Sequence, residues 1–302
     1  MSAICHFRRS LIGAAACSIL IAAATAPAGA SQDRPHEERE RRVAAMQNAP
    51  NPLEPVHSPW LEELTYLEIR DLVRAGHTTA IVPTGGIEQN GPYLVTGKHN
   101  VMLASLCPAI AAELGNALCA PIVPFVPEGN IEPPSGHMRF AGTISVRDTT
   151  FHALLDDIAS SLKQHGFRDI VLIGDSGGNQ RGLAEVATEL AERWAGSGVK
   201  AHFVREFYDP AWEETLAFAR ETLGIVEPEN DGLHDDIYVT SVMMVSGPAS
   251  VRYEQRVKAG LASINGVSIV PKEETIEAGR KLVEYRAERT AEAIRAAIAS
   301  SR

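Results

Sequence analysis

The chain has 302 residues, of which 45% are apolar, and its formal net charge at pH 7 is −10. This length and apolar content suit one large α/β domain or two small ones. The negative charge argues against a nucleic-acid-binding protein and against attraction to an anionic membrane surface.

The first 30 residues have the pattern of a cleaved export signal. Arg8 and Arg9 precede an alanine-rich apolar run, and Ala28 and Ala30 fit the small-residue rule for a cleavage site. The start also resembles a twin-arginine signal, so export by the Sec or the twin-arginine route is predicted, with a periplasmic or secreted mature protein. The alternative is an N-terminal membrane anchor, although the run is short for a span of about 20 strongly apolar residues. No later segment is predicted to cross a membrane.

Residues 31–58 are charged and contain prolines, which predicts a surface arm that is partly helical or disordered. A single α/β domain is predicted over residues 59–302. Short apolar segments alternate there with segments of helical periodicity, and this alternation favours a mostly parallel sheet covered on both faces. The predicted strands are 79–83, 120–125, 169–173 and 200–204, and the predicted helices are 64–75, 101–114, 150–165, 181–194, 210–223 and 272–298.

Two cysteines, Cys107 and Cys119, remain after removal of the predicted signal. In an oxidising compartment they could form a disulfide. Two buried thiols are the favoured interpretation, and their spacing is not that of a zinc site.

Polar side chains follow two predicted strands, at residues 85–91 and 174–180, in turns rich in glycine. Because the carboxyl ends of parallel strands meet at one edge of a sheet, we expect these turns to lie together and to carry the chemistry. Two further segments place histidines outside the predicted helices, namely 135–143 with His137 and 232–236 with His234.

In order and spacing, these four segments resemble the creatininase family over about residues 58–298. The family pattern is approximately Pro-x-Gly-x-x-Glu-Gln-His-Gly-Pro-His-Leu, then a metal-bridging Asp, then Glu-His-x-x-Phe-Pro-Gly-Thr-Ile-Ser, Asn-Gly-His-Gly-Gly-Asn and His-Ala-Gly-x-x-Glu-Thr-Ser. The matching segments here are Pro83-Thr84-Gly85-Gly86-Ile87-Glu88-Gln89-Asn90-Gly91-Pro92-Tyr93-Leu94, His137-Met138-Arg139-Phe140-Ala141-Gly142-Thr143-Ile144-Ser145, Gly174-Asp175-Ser176-Gly177-Gly178-Asn179 and His234-Asp235-Asp236-Ile237-Tyr238-Val239-Thr240-Ser241. The resemblance implies a three-layer α/β/α domain, a homo-oligomer that is often a hexamer, and a two-metal centre that hydrolyses an amide in a small molecule.

Several family ligands are replaced in this chain. Glu88 is kept, whereas Asn90 and Ser176 stand at the two histidine positions, His99 at the bridging aspartate and Val239 at the late glutamate. An amide or a hydroxyl is a poor ligand for zinc and a valine is none, so a two-metal centre of the family type is not expected.

The sequence leaves three alternatives for the site. One is a rebuilt single-metal site, with zinc or manganese held by Glu88, His99 and one of Asp175, His234 or Asp236. The second is metal-free acid–base chemistry, with His99 or His234 as the base and Glu88 as the carboxylate that orients it. The third is a cleft that binds a small molecule without catalysis. The predicted catalytic residues are Glu88, His99 and His234, the predicted metal ligands are Glu88, His99, Asp175 and Asp236, and the predicted substrate contacts are Asn90, Tyr93, His137, Ser176 and Asn179.

Three of these residues also have a structural interpretation. For Glu88, the alternative is a carboxylate that caps the Gly-Gln-Asn turn by accepting hydrogen bonds from backbone N–H groups. For Asn179, capping of the following helix is the stronger alternative to a ligand contact. For His137, packing in its loop against Phe140 is the alternative. Lys98 beside His99 is expected to be solvated, although it could hold a substrate carboxylate or oxyanion. The leading functional hypothesis is hydrolysis of a C–N bond in a small cyclic amide or formamide-like substrate other than creatinine.

Overall fold

A computed structural model describes residues 33–229 and 234–301. The predicted export signal and residues 230–233, which include the start of the His234 segment, lie outside the described residues. The chain divides into two units, Met1–Pro50 and Asn51–Arg302. In the first unit, helix α1 (Asp33–Asn48) covers part of the predicted charged arm. No helix among the described residues is long and apolar enough to span a membrane.

The second unit is built on a four-stranded parallel sheet. Its strands are β1 (Thr79–Thr84), β2 (Ala117–Cys119), β3 (Asp169–Gly174) and β4 (Lys200–Phe203), in the order β2-β1-β3-β4. The prediction of a mostly parallel α/β sheet is confirmed.

The second strand does not lie where it was predicted. Residues 120–125 were expected to form it, but β2 ends at Cys119 and Val123 makes only an isolated bridge to Thr84. Pro121 and Pro124 have no backbone N–H to donate, so this segment cannot continue a regular ladder.

Alternate residues of the central strands face two separate cores. Ile81 and Val171 pack among α3 (Lys98–Leu114), α7 (Ile237–Ser246) and α9 (Lys272–Ser300). Ala80, Val82, Ile170 and Leu172 face the opposite core. The helices of that second side are α2 (Tyr66–Arg74), α4 (Asp148–Gln164) and α5 (Gln180–Arg193). This division is the three-layer α/β/α arrangement that the resemblance implies. Successive residues of a strand point to opposite faces of the sheet, and since both sets are buried, helices must cover both faces.

The remaining elements follow β4 on the first side. They are α6 (Ala211–Glu221), α8 (Tyr253–Ala259) and the antiparallel hairpin of β5 (Ser263–Ile264) and β6 (Val267–Ser268). Helix α7 is apolar around most of its circumference and packs between α3 and α9, as expected for a helix enclosed by others.

Cys107 on α3 and Cys119 at the end of β2 form a disulfide. The expectation of two buried thiols is therefore wrong. Both residues are fully buried, and their Cα atoms are 6.2 Å apart, within the range that a disulfide spans. The bond ties α3, whose first turn carries Lys98 and His99, to the edge of the sheet.

Candidate active site

Two adjacent strands deliver the glycine turns to one place. β1 ends at Thr84 and β3 at Gly174, and these two residues are paired in the sheet. The buried side chain of Asn179 links the two turns, because its Nδ2 lies 3.1 Å from the carbonyl oxygen of Thr84 and 2.9 Å from that of Gly85. Asn179 makes no side-chain cap on α5, so the capping alternative is wrong. Its Oδ1 is buried without a hydrogen-bond partner among the described residues.

Glu88 is the centre of the site. Its residue exposure is 2%, and four side-chain nitrogens surround its carboxylate. Oε1 lies 3.3 Å from Nζ of Lys98, 2.9 Å from Nε2 of His99 and 3.2 Å from Nδ1 of His234. Oε2 lies 3.1 Å from Nε2 of His137. Although burial alone would raise the pKa of Glu88, hydrogen bonds from His234 and His99 hold that pKa well below its usual range.

Behind Glu88, His99 is held by a buried chain of charges. Its Nδ1 lies 2.8 Å from Oδ2 of Asp175, and Oδ1 of Asp175 accepts a hydrogen bond of 2.9 Å from Arg286. The guanidinium of Arg286 also donates to the hydroxyl of Tyr238, at 2.9 Å. Burial opposes the charge of Asp175, yet its pKa is lowered by Arg286 and by His99. Asp175 is therefore an acceptor with both oxygens engaged, and it supports His99 instead of facing the centre of the site.

The two carboxylates fix the protonation of His99. Each carboxylate is ionised and can only accept, so Asp175 takes the Nδ1 proton and Glu88 takes the Nε2 proton. Burial lowers the pKa of His99, but these hydrogen bonds outweigh burial and the pKa is raised. Orientation of an imidazole through a carboxylate at its second nitrogen is also the way proteins direct histidines at metals.

His137 and His234 form the outer part of the site. Their exposed side-chain fractions are 25% and 47%, and their rings meet edge to face with centroids 4.9 Å apart. Burial lowers the pKa of His137, which favours the neutral ring. His137 therefore packs against another histidine of the site, and Phe140, its predicted neighbour, is exposed.

Glu128 is a site residue that the sequence analysis missed. It is buried, lies in hydrogen-bonding reach of Glu88 and accepts a hydrogen bond of 3.4 Å from the hydroxyl of Ser176. Burial, and then the negative charge of Glu88, raises the pKa of Glu128 to about 8. The sequence could have indicated Glu128, since Val-Pro-Glu-Gly-Asn follows β2 and should reach the same sheet edge. The prolines in this segment make the end of the strand hard to predict.

Two glycines make room for Glu128. A Cβ atom on Gly86 would lie 2.1 Å from Oε1 of Glu128, and one on Gly178 would lie 2.2 Å from the carbonyl oxygen of Pro127. Both turns therefore need glycine for close approach, because a larger residue at 178 would displace the backbone of the loop that carries Glu128, and one at 86 would displace the carboxyl group itself.

The other predicted site residues have structural partners. Asn90 donates to the carbonyl oxygens of Glu88 and Val95, at 2.9 and 3.3 Å, and so closes its own loop. The guanidinium of Arg256 lies 4.4 Å from the centre of the Tyr93 ring.

Asp236 caps α7, accepting from the backbone N–H of Val239 at 2.7 Å, and burial raises its pKa to about 6. Within the described ranges, the group that could hold a metal ion is Glu88, His137 and His234, whose ligand atoms all lie within 4.8 Å of one another. The structure thus gathers a different ligand set from the predicted one, which included Asp175 and Asp236.

The donors fit one ion and do not fit two. One carboxylate and two imidazoles are the protein ligands of many catalytic zinc sites and leave a coordination position open. The residues at the remaining ligand positions of the family do not fit a second ion. Asn90 donates its amide N–H groups to backbone oxygens and has only a neutral amide oxygen left to offer, Ser176 donates to Glu128, and Val239 has no donor atom.

Known proteins are similar to this chain in sequence and in fold. The family profile described as "Creatininase: Creatinine amidohydrolase" matches residues 62–294. The "Creatinine amidohydrolase" of Pseudomonas putida is 24% identical over 222 residues, which cover 71% of this chain and 82% of the relative. The solved structure "Creatininase Mn" is 22% identical with a TM-score of 0.59, covering 80% of this chain and 98% of its own. A mutant creatininase complexed with creatine is 22% identical with a TM-score of 0.58, at the same coverage. At these identities the solved structures demonstrate a common fold.

Proposed function

Since the chain belongs to the creatininase family, we propose that it is an amidohydrolase that cleaves a C–N bond in a small cyclic amide or formamide-like molecule with one divalent metal ion. The observation that carries the proposal is the convergence of Glu88, His137 and His234 at the carboxyl edge of the sheet. A buried carboxylate surrounded by imidazoles, beside a histidine oriented by a second carboxylate, is an arrangement suited to activating water.

Glu88, His137 and His234 would hold the ion, and zinc or manganese suits this donor set. When bound, such an ion polarises a carbonyl group and lowers the pKa of water. The solved relative named "Creatininase Mn" supports a metal in this fold. Because Glu88 is buried and the two histidines are partly exposed, the open side of the site faces solvent and a small substrate can enter there.

His99 would move the protons of the reaction. In this structure its Nε2 donates to Glu88. Once that hydrogen bond is released and the proton lost, as would follow when Glu88 holds the ion, the ring keeps its proton on Nδ1 for Asp175 and offers a neutral Nε2 towards the site. Nε2 accepts a proton from the attacking water and then delivers it to the leaving nitrogen. One imidazole serves both steps in this way in the Ser-His-Asp hydrolases, where a buried aspartate likewise orients the ring.

The substrate that we propose is a cyclic amide other than creatinine. The complex of a relative with creatine supports a small nitrogen-rich ligand in this fold. The changes at Asn90, His99, Ser176 and Val239 alter the ligand set that the family resemblance links to creatinine opening, so a different ring is expected here.

We also propose that the mature protein is exported and forms homo-oligomers, as the sequence suggests. The buried disulfide supports export, because disulfides persist in oxidising compartments and are rare in the cytosol.

The test is to purify the mature protein without chelator, measure its metal content and screen cyclic amides and ureides for ring opening. About one zinc or manganese ion per chain and turnover of at least one ring are expected. Glu88→Gln should lose both. His152→Gln is the matched control, because His152 pairs with Glu185 at 3.3 Å on α4 and α5, away from this cluster. Metal-free protein that binds a ring without opening it would favour a binding role and overturn the proposal.

A further inference from the structure

We propose that Lys98 is the electrophile of the site, whose ammonium group donates hydrogen bonds to the oxyanion that forms when water attacks the substrate carbonyl. The inference rests on the proposed hydrolytic function and identifies the group that stabilises its transition state. Preorganised donors directed at developing negative charge often make the largest single contribution to catalysis of acyl transfer.

Lys98 lies where its charge is unfavourable. It is 5% exposed, and it is the first residue of α3, which begins after Gly97 without a side-chain cap. Burial of an ammonium group is costly, and the positive end of the helix dipole disfavours a cation at this terminus. An apolar side chain of similar length would fill the same space at lower cost, so packing does not explain a lysine here.

Neutralisation of Glu88 does not explain Lys98 either. The carboxylate already has three histidine nitrogens within 3.2 Å, those of His99, His137 and His234. Lys98 lies farther from it, at 3.3 Å from Oε1. With the proposed ion bound, that ion and His99 would compensate the charge of Glu88, so Lys98 adds positive charge to the site as a whole.

The ammonium group of Lys98 has more N–H donors than the described residues use. It carries three N–H bonds. In the described part of the chain its hydrogen-bond acceptor is Oε1 of Glu88 alone. The described residues thus leave two N–H bonds of this buried ammonium for an incoming acceptor, an arrangement suited to an oxygen of the substrate.

The replaced family ligands create the need for such a group. Two metal ions would share the charge that develops on the carbonyl oxygen, whereas Asn90 offers only a neutral amide oxygen and Ser176 only a hydroxyl that donates to Glu128, and both are poor ligands for a second ion. A fixed ammonium beside the proposed single-ion site provides a second positive charge without a second ion.

The proposed step is balanced. As the water oxygen bonds to the carbonyl carbon, the π electron pair moves to the carbonyl oxygen, and Lys98 donates hydrogen bonds to that oxyanion while keeping its protons. When this electron pair re-forms the carbonyl double bond, the C–N bond breaks, and the leaving nitrogen takes the proton that His99 carries. Lys98 thus acts on the transition state more strongly than on the neutral substrate.

The variants are Lys98→Met, which keeps the length and removes the charge, and Lys98→Arg, which keeps the charge. Lys163→Met is the matched control, because Lys163 lies over the ring of Trp194 on the far helical layer. For Lys98→Met we expect a kcat roughly 100- to 1000-fold lower, with KM changed less than about threefold and metal content unchanged. Lys98→Arg should recover part of the loss. Equal kcat in Lys98→Met and the parent would overturn the inference.

A measurement without turnover separates this inference from the proposed function. Methylphosphonate, a tetrahedral anion, should bind the metal-loaded parent at least about tenfold more tightly than Lys98→Met, as measured by calorimetry. If no ring is opened but this difference is found, the proposed function fails and the anion site at Lys98 stands. If rings are opened and the anion binds both proteins equally, the hydrolase stands and the role of Lys98 is wrong. Thermal unfolding of each variant shows whether the fold is intact.

Discussion

Asp175 and His99 are joined by a hydrogen bond of 2.8 Å between Oδ2 and Nδ1, and this bond turns Nε2 of the ring towards Glu88, 2.9 Å away. Arg286 on α9 fixes the other oxygen of Asp175, so a buried arginine from one helical layer helps to set the orientation of a histidine at the sheet edge. The functional state of His99 therefore depends on residues that do not contact the open side of the site.

Asp175→Asn should disable His99 while leaving the fold nearly unchanged. The amide of asparagine can donate to Nδ1, which places the ring proton on Nε2 and removes the lone pair that the proposed base needs. By analogy with the Asp-to-Asn change in the catalytic triad, we expect kcat to fall by about three orders of magnitude or more, with little change in KM. Steady-state kinetics with metal analysis of the same sample checks this.

Asp169→Asn is its matched control. Asp169 begins β3, the strand after which Asp175 lies, and it pairs with a buried histidine as well, since Oδ1 is 2.9 Å from Nε2 of His202. Loss of this pair should lower stability without selectively lowering kcat. Similar loss of kcat in both variants would mean that the effect of Asp175→Asn is structural.

Removal of the metal is expected to abolish activity reversibly. Dialysis against a chelator should leave a folded protein, because Glu88 keeps hydrogen-bonding partners in Lys98 and His99. Addition of about one equivalent of zinc or manganese should restore the rate. His137→Ala and His234→Ala should each bind metal about 10- to 100-fold more weakly or worse, as measured by competition with a chromophoric chelator. Unchanged metal affinity in both variants would contradict the proposed ligand set.

Much of the architecture follows from the sequence, because apolar strands buried on both faces leave a clear pattern. Helix α7 was not predicted, although its apolar run is long enough. Its residues are buried on nearly every side, so the run lacks the one-sided periodicity that identifies a helix. The displacement of β2 has a local cause in Pro121 and Pro124.

The site was only partly predictable for a different reason. Glu88 and His99 belong to one glycine turn and the helix after it, so sequence spacing places them together. Glu128 reaches the site from a proline-flanked loop, and its approach depends on the space that the glycines at positions 86 and 178 leave for it. The sequence shows that these residues are glycines, but it does not show which segment packs against them. Arg286 lies more than a hundred residues from Asp175, and such a pair has no local signature.

Gly86→Ala and Gly178→Ala should have different effects: the first should disturb the position of the Glu128 carboxyl group, and the second should destabilise the loop that carries it. The added methyl group of Gly86→Ala meets side-chain atoms, namely the carboxyl end of Glu128 and, at 3.3 Å, Cδ2 of His99, and no backbone. Rotation of the Glu128 side chain can relieve the closest contact, so stability should change by less than about 1 kcal/mol while activity falls. The methyl group of Gly178→Ala meets the backbone oxygen of Pro127, so this variant should lose about 1–3 kcal/mol. Urea unfolding and kcat of the two variants test both statements, and equal stability losses would contradict the assigned contacts.

The disulfide should stabilise the second unit without taking part in the chemistry. Cys107 and Cys119 are separated by 12 positions, and closing a loop of this size in the unfolded chain contributes about 3 kcal/mol. The double variant Cys107→Ala, Cys119→Ala should therefore unfold at a lower urea concentration, while kcat at low temperature stays within about twofold of the parent. His99 keeps its partners Glu88 and Asp175 in that variant, which is why activity should survive. The control is the parent protein unfolded in the presence of a strong reductant. Its midpoint should fall to that of the double variant, and a midpoint that does not respond to reductant would show that the two thiols are not joined.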